Sequence, residues 1–337
     1  MCALPQYSDV FSFSSLLAAF RRARRAKHGR GQEPAFYLDL EGNLLRLSDD
    51  LRTRAYRPDP YRYFTLRTSK ERVVSEASFR DRIVHHSLVA ALEPHFEEKF
   101  IETSYACRKM KGTHAALSQS QVEAGRCPYF VKLDFSKYFD TIRHDVLLGL
   151  LSQEIQDEGI LWLSDILMRQ ACVPGVGPDE HRGLPIGNLT SQFWANVYLN
   201  SLDHLVAELP RVQAYLRYMD DELLFADDRA VLRNALAVIE RFAAERLFLT
   251  LKASATMLAP VTEGMPWLGF RVYPGLIRLD QSSKQRFAHN LRASMTQAAA
   301  SALADESEIS RCASLCGHVG HANTRNLRRS ILDRPLA

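Results

Sequence analysis

The pattern of apolar and polar positions divides the chain into helical stretches and short strand-like runs. Leu16, Leu17 and Phe20 fall on one side of a segment that Ser8 can cap, which predicts a helix over 9–27. Residues 33–80 read as short strands and turns, broken at Pro58-Asp-Pro60, with Tyr61, Tyr63 and Phe64 in loose alternation. A helix is expected from Arg82 to Glu93, ended by Pro94, followed by a loop over 102–112. Thr113 can cap a further helix that Gly125 stops. Tyr129-Phe-Val-Lys-Leu-Asp134 is a short apolar run ending in a carboxylate, the pattern of a buried strand. Asp140 is the expected cap of a helix over 144–154, and a loop over 173–185 leads to a long apolar helix over 188–205. Residues 214–228 read as a hairpin with two acids at its tip, and Asp228 caps an amphipathic helix over 230–246. Strands are expected at 248–252 and 267–273, and helix from Ser282 onward. Strands and helices mix without a regular strand–helix–strand repeat, so the expected fold class is α+β with an antiparallel sheet at its centre.

Composition narrows the class without choosing a function. The 337 residues are 46% apolar and 24% charged, as in ordinary globular proteins, which excludes disordered and collagen-like chains. No run of eighteen apolar residues and no readable secretory signal is present, so a cytoplasmic protein without a membrane is expected. The six cysteines are mostly scattered and do not form a disulfide framework. Cys312-x3-Cys316-x-His318-x2-His321 alone has spacing suggestive of zinc, but Cys at i and i+4 in a helical pattern is more often core packing.

Charge is uneven. Residues 1–30 carry Arg21, Arg22, Arg24, Arg25, Lys27 and Arg30 against Asp9, and residues 275–337 carry nine Lys/Arg against five acids. The stretch between has a net charge of −5 within a total of +4. Basic ends around an acidic middle suit a polyanion held at its flanks with cations at the centre, or two solvated helix faces.

Tyr218-Met219-Asp220-Asp221 lies between two apolar strands, and a third acid, Asp134, ends another strand about 85 positions upstream. A bare Asp-Asp at a turn is usually a solvated turn former. Three carboxylates at neighbouring strand ends instead repel one another and invite hard divalent cations with oxygen ligands, such as the ion pair that serves in-line phosphoryl transfer.

These residues resemble a known family. Asp134-Phe-Ser-Lys-Tyr-Phe139, Gly183-Leu-Pro-Ile-Gly-Asn-Leu-Thr-Ser-Gln192 and Tyr218-Met-Asp-Asp221 are similar, in order and spacing, to motifs A, B and C of reverse transcriptases. Trp267-Leu268-Gly269-Phe270 resembles the primer grip, and Gly317-His-Val-Gly-His-Ala-Asn323 resembles bacterial thumbs. Arg80-Asp-Arg-Ile-Val-His-His86 and Tyr105-Ala-Cys-Arg108 resemble the group II intron, retron and diversity-generating lineages; motif B is most similar to the diversity-generating retroelement enzymes.

The resemblance implies a right-hand polymerase fold with fingers, a palm built on an antiparallel sheet, and a helical thumb. Its division would be an N-terminal extension at 1–60, fingers at 61–128, palm at 129–274 with a fingers insertion at about 150–186, and thumb at 275–337. It implies RNA-directed DNA synthesis on a structured RNA template, with dNTPs as substrates and an RNA/DNA duplex as product. Asp134, Asp220 and Asp221, with the Phe135 carbonyl, would hold two Mg²⁺ ions, Mn²⁺ being equally suited. Phe139 stands at the steric-gate position against a ribose 2′-hydroxyl. Arg72, Arg82, Ile186, Gly187 and Lys252 would meet the incoming nucleotide. Trp267, Leu268 and Gly269 would hold the primer, while Arg21, Arg22, Arg24, Arg25, Arg325, Arg328 and Arg329 would hold nucleic-acid backbone.

Isoleucine replaces the glutamine that many members carry in motif B, which removes a polar clamp on the nascent pair and points to error-prone copying. The sequence ends a few residues after the thumb motif, with the expectation that an accessory protein or non-coding RNA supplies the template. Two other readings stay open: an anti-phage defence enzyme that copies a non-coding RNA, and a catalytically silent RNA-binding scaffold.

Overall fold

Helix starts coincide with side chains able to accept backbone amides. Ser12 accepts from the Ser15 amide, Asp39 from Gly42, Ser78 from Asp81, and Asp157 from both Gly159 and Ile160. The computed structural model describes residues 4–25, 31–67, 71–170, 180–300 and 306–333. Its first elements are α1 (Tyr7–Val10), α2 (Phe13–Arg24), α3 (Glu33–Leu38), α4 (Leu40–Arg52), β1 (Arg62–Arg67), β2 (Glu71–Glu76) and α5 (Phe79–Glu97). Next come α6 (Thr113–Arg126), β3 (Tyr129–Leu133), α7 (Tyr138–Thr141), α8 (His144–Ser152), α9 (Glu158–Arg169) and α10 (Leu189–Ala207). The acidic hairpin β4 (Ala214–Tyr218) and β5 (Asp221–Ala226) precedes α11 (Arg229–Arg246) and β6 (Met257–Pro260). The chain closes with β7 (Met265–Trp267), β8 (Phe270–Tyr273), β9 (Leu276–Leu279), α12 (Gln281–Ala300), α13 (Glu306–Gly320) and α14 (Arg325–Leu332).

These elements fall into two compact units. The first comprises Met1–Glu102, Phe135–Glu208 and Val238–Lys252. Its central helix, α5, buries most of its circumference, with Ile83, Val84, Leu88 and Leu92 inside together with the polar Asp81, His85 and Ser87, and both α2 and α10 pack on it. The antiparallel β1–β2 hairpin belongs to this unit and carries Tyr63, Phe64, Leu66 and Val73 at its surface.

The second unit comprises Thr103–Asp134, Leu209–Ala237 and Ala253–Ala337. Its antiparallel sheet has the order β4-β5-β3-β6, so β3 lies between β5 and β6. Phe130, Leu216, Leu223, Phe225 and Ala259 from this sheet share one core with Leu117 of α6 and with Trp267, Phe270 and Val272 of the three-stranded sheet β7-β8-β9. A separate cluster of Phe287, Leu291, Val319 and Ile331 holds the terminal helices together, and Cys312 and Cys316 pack against it. This is the core-packing role of that cysteine pair. Among the described residues no three His, Cys, Asp or Glu side chains gather as a ready metal cage, although His321 stacks on His114 at 3.5 Å between ring centroids.

Several local expectations are corrected. The helix expected over 9–27 is two helices, because Ser12 rather than Ser8 caps the longer one. Residues 33–52, expected as strands and turns, are helical, and Leu44, Leu47 and Leu51 form their buried stripe at helical spacing. Pro94 does not end α5; it sits in the last turn, where its missing N–H forfeits one bond. Residue 140 lies within α7 and caps nothing, while α8 begins after Arg143. Residues 248–252 form no strand, only an isolated bridge from Leu251 to Phe135; the fourth strand is β6. The run 267–273 is a hairpin rather than one strand. Leu268 and Gly269 both have positive φ, 51° and 83°, as a type I′ turn requires. The loop expected over 173–185 lies largely outside the described residues, as do Lys27 and Arg30.

Candidate active site

The three acids singled out by the sequence meet at one end of the second unit's sheet. Leu133 pairs with Glu222, so the next position on each chain, Asp134 and Asp221, continues the same register at the strand ends. Tyr218 pairs with Asp221 across a two-residue turn of Met219 and Asp220. Met219 has φ of 59°, a left-handed conformation that costs a side-chain-bearing residue about 1–3 kcal/mol. Neighbouring bonds over-determine it: the Arg217 guanidinium donates to the Met219 carbonyl at 3.0 Å, and the Arg217 amide donates to the Thr103 carbonyl at 2.9 Å.

Burial and the nearby Asp134 carboxylate push the Asp220 carboxyl well above the usual range, with Asp221 adding to the rise. Asp221 is treated differently, because its Oδ1 accepts an ion pair from Lys132 Nζ at 3.0 Å. The site therefore holds more negative charge than it can ionise without a cation. Carboxylate oxygens in that state are the donor set that hard divalent ions require, so the residues present fit Mg²⁺ or Mn²⁺.

Lys132, Arg217 and Glu222 escaped the sequence reading. Arg217 and Glu222 stand directly opposite each other on β4 and β5, and both are fully buried. The signal was legible: charged residues at core positions of apolar strands have to be paired.

The motif B residues build a different environment, in the first unit. The Ser75 amide of β2 donates to the Ile186 carbonyl at 2.8 Å, and Asn188 Nδ2 donates to the Ser75 carbonyl at 3.3 Å. Gly187, with φ of 110°, passes so close to β2 that a Cβ there would lie 2.6 Å from Val74 Cγ1. Glycine is required by that approach. On the other side, the Leu184 amide donates to the Phe139 carbonyl at 2.7 Å, which ties this segment to Phe139.

Two cavities lie along this crossing, and Ser75 lines both. One, of about 220 Å³, is lined by Glu71, Arg72, Val73, Ser75, Asp140, Leu184, Pro185 and Ile186. The other, of about 270 Å³, is lined by Phe64, Arg82, His85, His86, Asn188 and Gln192 among others. Arg72 and Arg82, grouped on one nucleotide by the sequence reading, thus line different cavities. Burial holds the His85 imidazole at a pKa of about 3 and His86 at about 4, with Arg82 adding to both, and it lowers the Arg82 guanidinium as well. His85 Nε2 is buried without a hydrogen-bond partner. The cavity also faces the start of α10, whose cap residue Asn188 makes no capping bond, so first-turn amides there are available to an acceptor.

The remaining expected residues are dispersed. Phe135 is buried and pairs with Leu251, while Phe139 is half-buried. Lys252 is half-buried in the first unit. Trp267 is buried in the second unit's core, with Leu268 and Gly269 at the β7–β8 turn. Arg21, Arg22 and Arg25 are exposed, whereas Arg24 is bound to Glu33 at 2.6 Å and lies 4.4 Å from the Tyr37 ring centre. Arg325 is exposed, Arg328 half-buried, and Arg329 pairs with Asp333 at 3.4 Å.

Comparison with known proteins adds a family. The model described as "Reverse transcriptase (RNA-dependent DNA polymerase)" matches residues 59–272. The chain is 26% identical over 309 residues to Protein YkfC of Escherichia coli (strain K12), covering 77% of this chain and 79% of that one. It is 28% identical over 173 residues to the group II intron-encoded protein LtrA of Lactococcus lactis subsp. cremoris, covering 50% of this chain and 29% of LtrA. It is 29% identical over 196 residues to the putative COX1/OXI3 intron 2 protein of Saccharomyces cerevisiae, covering 56% and 23%. The chain thus spans most of YkfC but under a third of either intron protein. Among solved structures, apo telomerase from Candida Tropicalis, truncated from its C-terminal domain, aligns with a TM-score of 0.50 at 9% identity. That alignment covers 70% of this chain and 59% of the other, a likeness of fold. No helix of the described residues is long and apolar enough to cross a membrane.

Proposed function

Because the chain belongs to the reverse transcriptase (RNA-dependent DNA polymerase) family, we propose that it synthesises DNA on a structured RNA template, with Asp134, Asp220 and Asp221 as the catalytic carboxylates. The observation that carries this reading is the crowding at the β4–β5 turn: a buried Asp220 destabilised as an anion by Asp134 and Asp221, on a strained turn, with no evident structural use. Two Mg²⁺ or Mn²⁺ ions held there would activate a primer 3′-hydroxyl and offset the charge of the leaving pyrophosphate. The protein's own part is to hold the carboxylates rigidly, which the register of β3, β5 and β4 does.

The two cavities of the first unit divide the remaining work. The one with Arg72 and Ile186 receives the incoming deoxynucleotide, where the guanidinium matches phosphate oxygens and Phe139 opposes a 2′-hydroxyl. The one with Arg82, His85 and the start of α10 receives the template strand. Ile186 packs without polar contact, which supports error-prone copying of the kind that diversifies a target gene. Trp267–Gly269 serve the primer, Lys252 the leaving pyrophosphate, and the exposed arginines of α2 and α14 the duplex backbone. The corresponding division is an N-terminal extension, fingers, palm and thumb at the boundaries given above.

The direct test is extension of a labelled DNA primer on RNA. The double substitution Asp220→Ala, Asp221→Ala should reduce extension at least about a thousand-fold while RNA binding persists. Extension at the wild-type rate would remove these residues from the chemistry. Equal failure of the wild-type chain with every primer would favour the silent scaffold.

A further inference from the structure

Lys132 has no place in the motif that brought the acids together, yet it is bonded to one of them. It lies on β3, two positions before Asp134 and directly opposite Leu223 of β5, so Asp221 is its diagonal neighbour on the same face of the sheet. A lysine stem spans that diagonal, and the pair closes at 3.0 Å with Lys132 18% and Asp221 31% exposed. The partly enclosed setting makes this a stronger contact than a solvent-screened surface pair.

We propose that Lys132 is a positioning residue that acts as a resident counter-charge: it holds Asp221 while the site is free of divalent ions and competes with them for that carboxylate. The proposal rests on the assignment of Asp134, Asp220 and Asp221 as the ion-binding carboxylates. Two consequences follow from charge alone. Without ions, Lys132 offsets one of three clustered acids and keeps the turn from opening. As ions bind, the ammonium has to release Asp221 or stand beside a dication, so the ion concentration needed to fill the site is raised. Removing the ammonium should therefore tighten ion binding while weakening the ion-free protein. A lysine serving only to hold the strands together would give the opposite sign, since a looser turn binds ions less well.

The test uses the full chain stripped of metal with chelator and titrated with Mn²⁺, following free Mn²⁺ by its paramagnetic resonance signal. Lys132→Met should bind Mn²⁺ about tenfold more tightly than wild type, equivalent to about 1.4 kcal/mol. Its ion-free melting temperature should be lower, and the rise on adding Mn²⁺ larger. Lys132→Arg, which keeps the charge, should stay close to wild type. Unchanged or weaker Mn²⁺ binding by a cooperatively melting Lys132→Met protein overturns the proposal; Lys132→Gln takes the same test if the methionine variant does not fold. Asp220→Asn separates the two levels of the argument. If it leaves wild-type Mn²⁺ binding intact, the ion-binding assignment fails and this proposal with it; if it abolishes binding and Lys132→Met does not tighten it, only the role of Lys132 fails.

Discussion

The β4–β5 turn and the β2–motif B crossing are both close-packed, but they are built from different materials. At the turn, regular strand register brings like charges together and a strained Met219 fixes them. At the crossing, a backbone hydrogen bond, a side-chain bond from Asn188 and a missing side chain at Gly187 shape two cavities of mixed charge, with Glu71 and Asp140 beside Arg72 in one and Glu76 beside Arg82 in the other. One region concentrates charge on a rigid frame; the other makes room. The difference teaches that one chain can hold like charges on a regular strand frame and, elsewhere, shape room by backbone contacts and an omitted side chain.

The cavity that includes Arg82 offers the largest effect by which this contrast can be broken. Arg82→Gln should weaken RNA template binding about tenfold or more and flatten its salt dependence, while KM for dNTP changes little. A change confined to the dNTP would merge the two cavities into one function.

The pH dependence of stability sharpens the contrast from another side. The folded-state pKa of His85, about 3, lies below its ordinary value of 6.5, so the native chain binds fewer protons than the unfolded one. Its contribution is complete above pH 6.5 and is lost progressively as the pH falls from there toward 3. The slope attributable to this residue is about 1.4 kcal/mol per pH unit. Urea unfolding at pH 6, 5.5 and 5 should show a slope at least that steep in the wild type, because His86 adds to it, and a shallower one in His85→Gln. Identical slopes would mean that His85 is charged or solvated in the native state.

The smallest expected effect is on fidelity. Ile186→Gln restores a polar group in the cavity of Arg72 and should lower misincorporation on RNA about threefold, about 0.7 kcal/mol in discrimination. An unchanged error spectrum, read by sequencing the products, would detach copying errors from this residue.

What the sequence made legible differs between the two regions for the same physical reason. Short apolar runs at 129–134 and on both sides of Asp220-Asp221 marked the strands, so the acids could be placed at their ends without knowing the partners. The crossing was not legible, because no period relates Ser75 to Ile186 across 111 positions. Local signals also competed. Leu44, Leu47 and Leu51 form a helical stripe that the aromatic and proline signals at 56–64 outweighed. Leu268-Gly269 lacked the Asn-Gly or Asp-Gly pair that usually announces a type I′ turn. Lys132 carried no signal in the sequence, because its diagonal partner Asp221 lies on another strand.

On the proposed function, the carboxylate turn governs the chemical step and the cavities beside β2 govern occupancy. Single-turnover incorporation of one dNTP on an RNA template, measured across nucleotide concentrations, separates the two. Asp220→Asn should lower the maximal rate at least about a hundredfold with the dNTP Kd within a few-fold of wild type, and Arg72→Gln should raise that Kd about tenfold with the maximal rate largely kept. A maximal rate preserved in Asp220→Asn, or lost equally in both variants with Kd unchanged, would contradict the account.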